Sequence, residues 1–517
     1  MAFQLDDFTT DLLEQISGNG TATEADSANM QQLYADAQNS EGTAPIVALF
    51  HALKDAKTAG GPGYEAYGLT REGLVELCAK HVEIDEHSVT IGGRVGRALE
   101  IITDAGLRVQ DYLARKDVEA PSGIQLWDTI LENQARIKSV LGMTDDDWNS
   151  FPGQLNNCID TAETLQKCLN LPDDCIQDVA RITQKYRMRM TPYYASLIQP
   201  VPNDPVLLQA VPTAEMVDTV GKEIPPVASD HSPVRLVDQF YPRVVALKST
   251  NICAMYCTHC LRIAHIGGSD RTFSKQAYQE ALDYIASKPA IRDVLITGGD
   301  AFMLSNSSLR WLLGKLDDID HIKMKRLGTR VPVTTPQRID SELLDILEES
   351  NDRNPVRVVT QINTAQEITP VSRQAFKDIS KRVFAVLNQA VLLRGINDSK
   401  VKMWHLCETI QEAYVRPYYI FNCSYRNPQY YHMRVPIQKG RDIVEGMYGN
   451  ISGDAIPRYI AAAGGKIPLH RDNVRGYDED GTAILEKPWG GEVHYPNADH
   501  EKYINDDDFA FNKYGKK

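Results

Sequence analysis

The run RVVALKSTNICAMYCTHC (243–260) decides how the rest of the chain reads. Its first part, RVVALKST (243–250), is largely apolar and reads as a strand. Cys253, Cys257 and Cys260 follow at the spacing C-x3-C-x2-C, in the loop directly after that strand. Three thiolates can hold three irons of a [4Fe–4S] cluster and leave the fourth iron open to a substrate. Barrel enzymes place their chemistry in loops at the C-terminal ends of strands, so the position suits such ligands. The competing reading is a zinc knuckle, in which His259 or His265 would complete the four ligands that zinc requires.

The next strand-like run, DVLITGGD (293–300), ends in Gly298, Gly299 and Asp300. Two glycines let the backbone approach a ligand closely, and the carboxylate can accept from an ammonium. A cysteine triad followed one βα unit later by GGD resembles the radical S-adenosylmethionine (SAM) enzymes. That resemblance implies that the open iron is chelated by the amino and carboxylate groups of SAM. It also implies that Gly298, Gly299 and Asp300 contact the methionine amino group.

Outward from these two runs, strands are expected near 243–249, 293–297, 322–327, 356–362, 383–388 and 415–421. Helical runs lie between them, such as KQAYQEALDYIAS (275–287) and SSLRWLLGKLDDI (307–319). Six strand–helix units predict an α/β fold, a partial (β/α)6 barrel of the radical SAM kind with a parallel sheet, over 236–449. Residues 1–45 read as a polar, mobile N-terminus. Residues 46–120 read as a small helical domain, 121–235 as a helical segment leading into the core, and 450–517 as a C-terminal segment and tail.

Composition narrows the class. The chain has 517 residues, 24% of them charged and 43% hydrophobic, ordinary for a globular protein of two or three domains. A net charge of −14 argues against non-specific nucleic-acid binding. No apolar run is long enough to span a bilayer, so no membrane partner is expected. The start, MAFQLDDFTTDLLEQ, lacks a signal-peptide pattern, and nine dispersed cysteines do not form a disulfide framework. A cytoplasmic location is expected.

The C-terminal segment carries a second chemical signal. AAAGGKIP (461–468) sets Gly464 and Gly465 directly before Lys466. A glycine turn offers backbone N–H groups to a phosphate, and a lysine beside it can form a Schiff base with pyridoxal phosphate (PLP). Read alone, this is a weak signal, and a surface lysine in a turn is the favoured reading.

Many ordered runs settle that point: RMRMTPYYASL (187–197), NDPVLLQAVPT (203–213), YPRV (241–244), CAMYCTHCLR (253–262), LITGGDA (295–301), TRVPVTTPQRI (329–339), NQAVLLRGIND (388–398), VRPYYIFNC (415–423), MRVPIQKG (433–440) and GGKIP (464–468). From about Trp148 to about Pro496 the sequence resembles the lysine 2,3-aminomutase family of PLP-dependent radical SAM enzymes. The resemblance implies a [4Fe–4S] cluster on Cys253, Cys257 and Cys260, with SAM and PLP beside it and Lys466 as the Schiff-base lysine. It implies Arg262 for the substrate carboxylate, Tyr241 and Arg243 near PLP with Arg243 on the phosphate, and Gln389 near SAM. The reaction implied moves an α-amino group to the β-carbon of an amino acid. Partners implied are that small molecule, an electron donor such as flavodoxin or ferredoxin, and a second copy of the chain in a homo-oligomer.

The sequence departs from lysine-specific members of the family. They grip the distal ammonium with two aspartates, and the corresponding places here hold Ser424 and Tyr459. Arg426 and Arg458 stand nearby and suit a carboxylate, so glutamate or a neutral amino acid is the expected substrate. No cysteine follows Cys423, so the zinc that many members carry near the C-terminus is not expected. The alternatives are another amino-acid or protein-lysine transformation on the same fold, and a non-catalytic paralogue acting through its N-terminal domain.

Overall fold

The computed structural model of the protein describes residues 106–498, apart from 170, 172, 202, 218–231, 262–269 and 271. The chain divides into two compact units, residues 1–114 with 508–517, and residues 115–507. The polar N-terminus and most of the helical domain expected over 46–120 lie outside the described residues.

In the larger unit, nine strands form one sheet whose spatial order follows the sequence. They are β1 Val237–Tyr241, β2 Val244–Thr250, β3 Asp293–Gly298, β4 Met324–Gly328, β5 Val356–Thr360, β6 Ala385–Leu392, β7 Arg416–Asn422, β8 Arg458–Ala462 and β9 Lys466–Pro468. β2 to β8 run parallel, while β1 and β9 close the two edges antiparallel. Parallel neighbours need a crossover, and helices Lys275–Ala286, Asn306–Asp317, Ser341–Arg353, Pro370–Ser380, Lys400–Glu412 and Ile437–Glu445 supply it. The first five begin on Ser274, Ser305, Asp340, Thr369 and Ser399, each of whose side chains accepts from the backbone N–H three residues on. Each such cap stabilises its helix by about 1 kcal/mol.

The strands alternate between two environments, as a period of two requires. Val245 and Leu247 of β2, and Val294 and Ile296 of β3, are buried in the hydrophobic core. Their neighbours Val244, Ala246 and Leu295 line a cavity, which Val245 also touches. Side chains from β2 through β7 and from β9 reach that single cavity, so the sheet curls around it as a half-barrel.

All six expected strands are present, but the parallel sheet has a seventh member. β8 and β9 extend it past residue 449, in a stretch whose glycine, aspartate and proline content hides short strands. A separate antiparallel sheet follows, of β10 Val474–Tyr477, β11 Ala483–Glu486 and β12 Glu492–Tyr495. One irregularity bears on the site. Asn388 pairs with Pro417 but Gln389 pairs with Tyr419, so Tyr418 is the extra residue of a β-bulge. Its ring lies beside that of Tyr419, centroids 3.9 Å apart. Among the described residues no helix is long and apolar enough to cross a membrane.

Candidate active site

The cavity has a volume of about 490 Å³, and Cys253, Cys257 and Cys260 stand on one wall of it. All three are half-buried and none is in a disulfide. Burial pushes the Cys253 thiol well above its ordinary range, and the charges of Asp300 and of the two neighbouring thiols add to the effect. The Sγ of Cys257 accepts from Arg330 Nη1 at 2.9 Å. Among the described residues no three of His, Cys, Asp or Glu converge at the spacing of a single metal ion. A cubane takes one thiolate per iron, so three thiols spread along a wall fit it.

Behind the cysteine loop is a buried polar network that sequence reading missed. Arg330, after β4, donates through Nη2 to Glu367 Oε1 at 2.5 Å, to Tyr194 Oη at 3.1 Å and to Gln209 Oε1 at 2.5 Å. Glu367 Oε2 in turn accepts from the N–H groups of Asn363 and Thr364. One guanidinium thereby fixes the cysteine loop to two helical turns and to the loop after β5. The run TRVPVTTPQRI holds Arg330, but its partners lie between 37 and 136 residues away in the chain, beyond the reach of a local pattern. His259 is also buried there, and burial with the Arg330 charge lowers its pKa to about 3, so it is neutral.

Gly298 and Gly299 do more than clear space for a ligand. Gly298 has φ +123, and a β-carbon on it would come within 2.2 Å of the Thr250 carbonyl oxygen. One on Gly299 would meet the Ile252 oxygen at 2.3 Å. The pair therefore lets the β3 loop press against the base of the cysteine loop. Asp300 accepts from Phe302 N at 2.9 Å and from Arg330 N at 2.6 Å. Burial raises its pKa, opposed by these bonds. A carboxylate with two oxygens retains capacity for a further donor from the cavity.

Lys466, at the start of β9, lines the same cavity together with Tyr241 and Gln389. Its backbone N–H donates to Tyr241 Oη at 2.8 Å. Its Nζ lies 4.8 Å from the centre of the Tyr419 ring. Burial, with the Arg326 charge adding to it and Asp293 opposing, lowers its pKa to about 8. Gly464 and Gly465 have φ +70 and +135, which only glycine adopts without strain. A β-carbon on Gly465 would also strike the Trp489 ring at 2.5 Å. The turn is thus built to place the lysine.

Several expected residues stand elsewhere. Arg243 is exposed in the turn between β1 and β2 and does not line the cavity. Tyr459 is buried on the outer face of β8, where its hydroxyl accepts from Asn422 Nδ2 at 2.7 Å and its ring abuts Gly440. Counting residues back from Lys466 brings it near the lysine in sequence, but strand alternation turns it to the helices. Ser424 is buried and Arg426 half-buried, and neither lines the cavity. Arg458 is exposed at the start of β8, on the same side as its neighbour Tyr419. Arg262 lies outside the described residues.

No family model matches the chain. Individual proteins do. The L-lysine 2,3-aminomutase of Clostridium subterminale is 38% identical over 344 residues, 65% of this chain and 82% of that protein. The glutamate 2,3-aminomutase of Clostridioides difficile (strain 630) is 35% identical over 402 residues, 77% of this chain and 93% of its own. The chain belongs to the lysine 2,3-aminomutase family. The L-lysine 2,3-aminomutase of Bacillus subtilis (strain 168), 36% identical over 387 residues, is a third relative of this kind. The protein is accordingly an amino acid 2,3-aminomutase, an isomerase.

Proposed function

We propose that this 2,3-aminomutase works by radical SAM and PLP chemistry and acts on a non-basic α-amino acid, glutamate before others. The observation that carries the chemistry is the shared cavity, lined by three cysteines and by an amine of depressed pKa. Cys253, Cys257 and Cys260 would hold a [4Fe–4S] cluster, Asp300 with Gly298 and Gly299 would face SAM, and Lys466 would hold PLP. When bound, the cluster and SAM supply a carbon-centred radical that takes up a hydrogen atom, and PLP supplies a carbonyl for the amino group and a π system for the unpaired electron.

The chain's own residues prepare the site. With a pKa of about 8, roughly one Lys466 amine in ten is unprotonated at pH 7 and able to attack a carbonyl. Tyr241 fixes the backbone of that lysine. Val244, Ala246, Leu295, Val359, Val391 and Phe421 give the cavity apolar walls that exclude water from a reactive radical.

The substrate reading rests on charge. Among the described lining residues Asp300 is the only carboxylate, whereas Arg187, Arg326, Arg330 and Lys466 are basic. A lysine ammonium would enter that field without a partner of its own. Each lost charge-assisted hydrogen bond costs about 1.5–3 kcal/mol, and two make roughly a hundredfold or more in rate. The test is an anaerobic assay of the reconstituted enzyme against a panel of α-amino acids, with β-amino acid products read by mass. L-Glutamate or a neutral amino acid should give a higher kcat/KM than L-lysine. Lysine as the best substrate would overturn the substrate reading.

A further inference from the structure

With Arg243 outside the cavity, the dianionic end of PLP needs another cation. This inference rests on the PLP reading above and deepens it. Of the basic residues lining the cavity, Arg330 is committed to Glu367 and Cys257, and Arg187 gives both of its Nη groups to Asp270, at 2.9 and 3.2 Å. Lys466 is the carbonyl-binding amine. Arg326 remains.

Arg326 is buried in the middle of β4, two residues before Gly328, and both line the cavity. Its Nε donates to Asp293 Oδ1 at 2.7 Å, which orients the guanidinium. Among the described residues its two Nη groups make no hydrogen bond, so four N–H donors are unused. Across the sheet, Arg458 pairs in register with Tyr419 and so shares its side of β8, with no ion pair among the described residues. The bulge at Tyr418 turns a second phenol to that side, beside Tyr419 and hence beside Lys466. Arg357, the register neighbour of Arg326 on β5, adds a third positive charge at the same level, and its buried Nε has no partner.

We propose that the PLP phosphate is held by Arg326, which lines the cavity, assisted from the same side of the sheet by Arg458 and the Tyr418 hydroxyl, which do not line it, rather than by Arg243 in the β1–β2 turn. The electrostatics agree. Burial and the neighbouring Tyr419 push the Tyr418 hydroxyl up to about 12 against the charges of Arg326 and Arg458, so both arginines are felt at that hydroxyl. The Arg326 charge also reaches Lys466. Phosphate and Schiff-base lysine are then anchored by different strands of the sheet, the interior β4 and the edge β9, with the Tyr419 ring beside the amine.

The experiment compares PLP with pyridoxal, which lacks the phosphate, on the full chain without SAM or substrate. Schiff-base absorbance gives the two dissociation constants, and borohydride reduction with peptide mapping gives the lysine. The wild-type protein should bind PLP at Lys466 far more tightly than pyridoxal. Arg326→Gln should weaken PLP by about 10- to 100-fold, as expected for charged hydrogen bonds, and leave pyridoxal unchanged. Arg458→Gln, at an exposed position that the fold tolerates, should reduce the PLP-to-pyridoxal preference several-fold, and Arg243→Gln should not alter it. If Arg326→Gln fails to fold, Arg458→Gln and Tyr418→Phe decide by the same ratio. A preference unchanged in these variants, or lost in Arg243→Gln, overturns the proposal. A wild-type protein that forms no adduct at Lys466 overturns the PLP reading itself, which is a separate result.

Discussion

The two walls of the cavity are built in different ways. The cysteine wall is contiguous in sequence and braced from behind: eight residues carry its three thiols, and the Arg330–Glu367 pair holds them to four other segments. The lysine wall is assembled from distant pieces. Tyr241 comes from β1, Tyr418 and Tyr419 from β7, Lys466 from β9, and Trp489 from the loop before β12. A wall that must hold a reactive cluster in one state benefits from buried, over-determined contacts. A wall that must exchange its lysine for an incoming amino group is better served by a short edge strand and a glycine turn.

If that contrast is right, the walls should fail separately. Cys257→Ala should abolish iron retention and SAM cleavage after anaerobic reconstitution, while Lys466→Ala should leave the iron content intact and remove only borohydride-trapped PLP. Loss of iron in Lys466→Ala, or 5′-deoxyadenosine formation by Cys257→Ala, would contradict the division. Next in size is Arg330→Met. Removing one partner of a buried ion pair leaves Glu367 uncompensated, at about 3–5 kcal/mol, and thermal denaturation should show a fall in Tm of several degrees. A variant as stable as the wild type would mean that the brace is ornamental.

The pH dependence of the lysine wall sharpens the comparison further. Only the unprotonated amine attacks, so the rate of PLP capture should rise about tenfold per pH unit and level off above about 8. A plateau reached only near 10.5 would show that Lys466 is solvated rather than buried. Smallest is Tyr241→Phe, which removes one hydrogen bond to the Lys466 backbone. It should cost about 1 kcal/mol and weaken PLP binding several-fold without changing iron content.

The cysteine wall was the legible one. Apolar runs marked six strands, C-x3-C-x2-C marked a loop that lines the cavity, and GGD fell one βα unit later, because each of these is a local pattern. Lys466 stood out only through the family resemblance, since two glycines before a lysine are by themselves an ordinary turn. The rest was hidden for identifiable reasons. β9 is three residues long, too short for any period to show. Tyr459 lies on the outer face because β8 alternates, which residue counting ignores. Arg326 and Arg330 stand within recognised runs, but what they touch is set by strand register and by partners far away in the chain.

Trp489 has a consequence outside chemistry. Its ring is in contact with Gly465, one residue from Lys466, and is half-exposed. The chain contains only five tryptophans, and this one touches the turn that carries the lysine. A chromophore captured on Lys466 would sit within energy-transfer range of the indole. Loading of the lysine could therefore be followed as quenching of intrinsic fluorescence, in real time and without a label, and Trp489→Phe would identify the share of the signal that belongs to this turn.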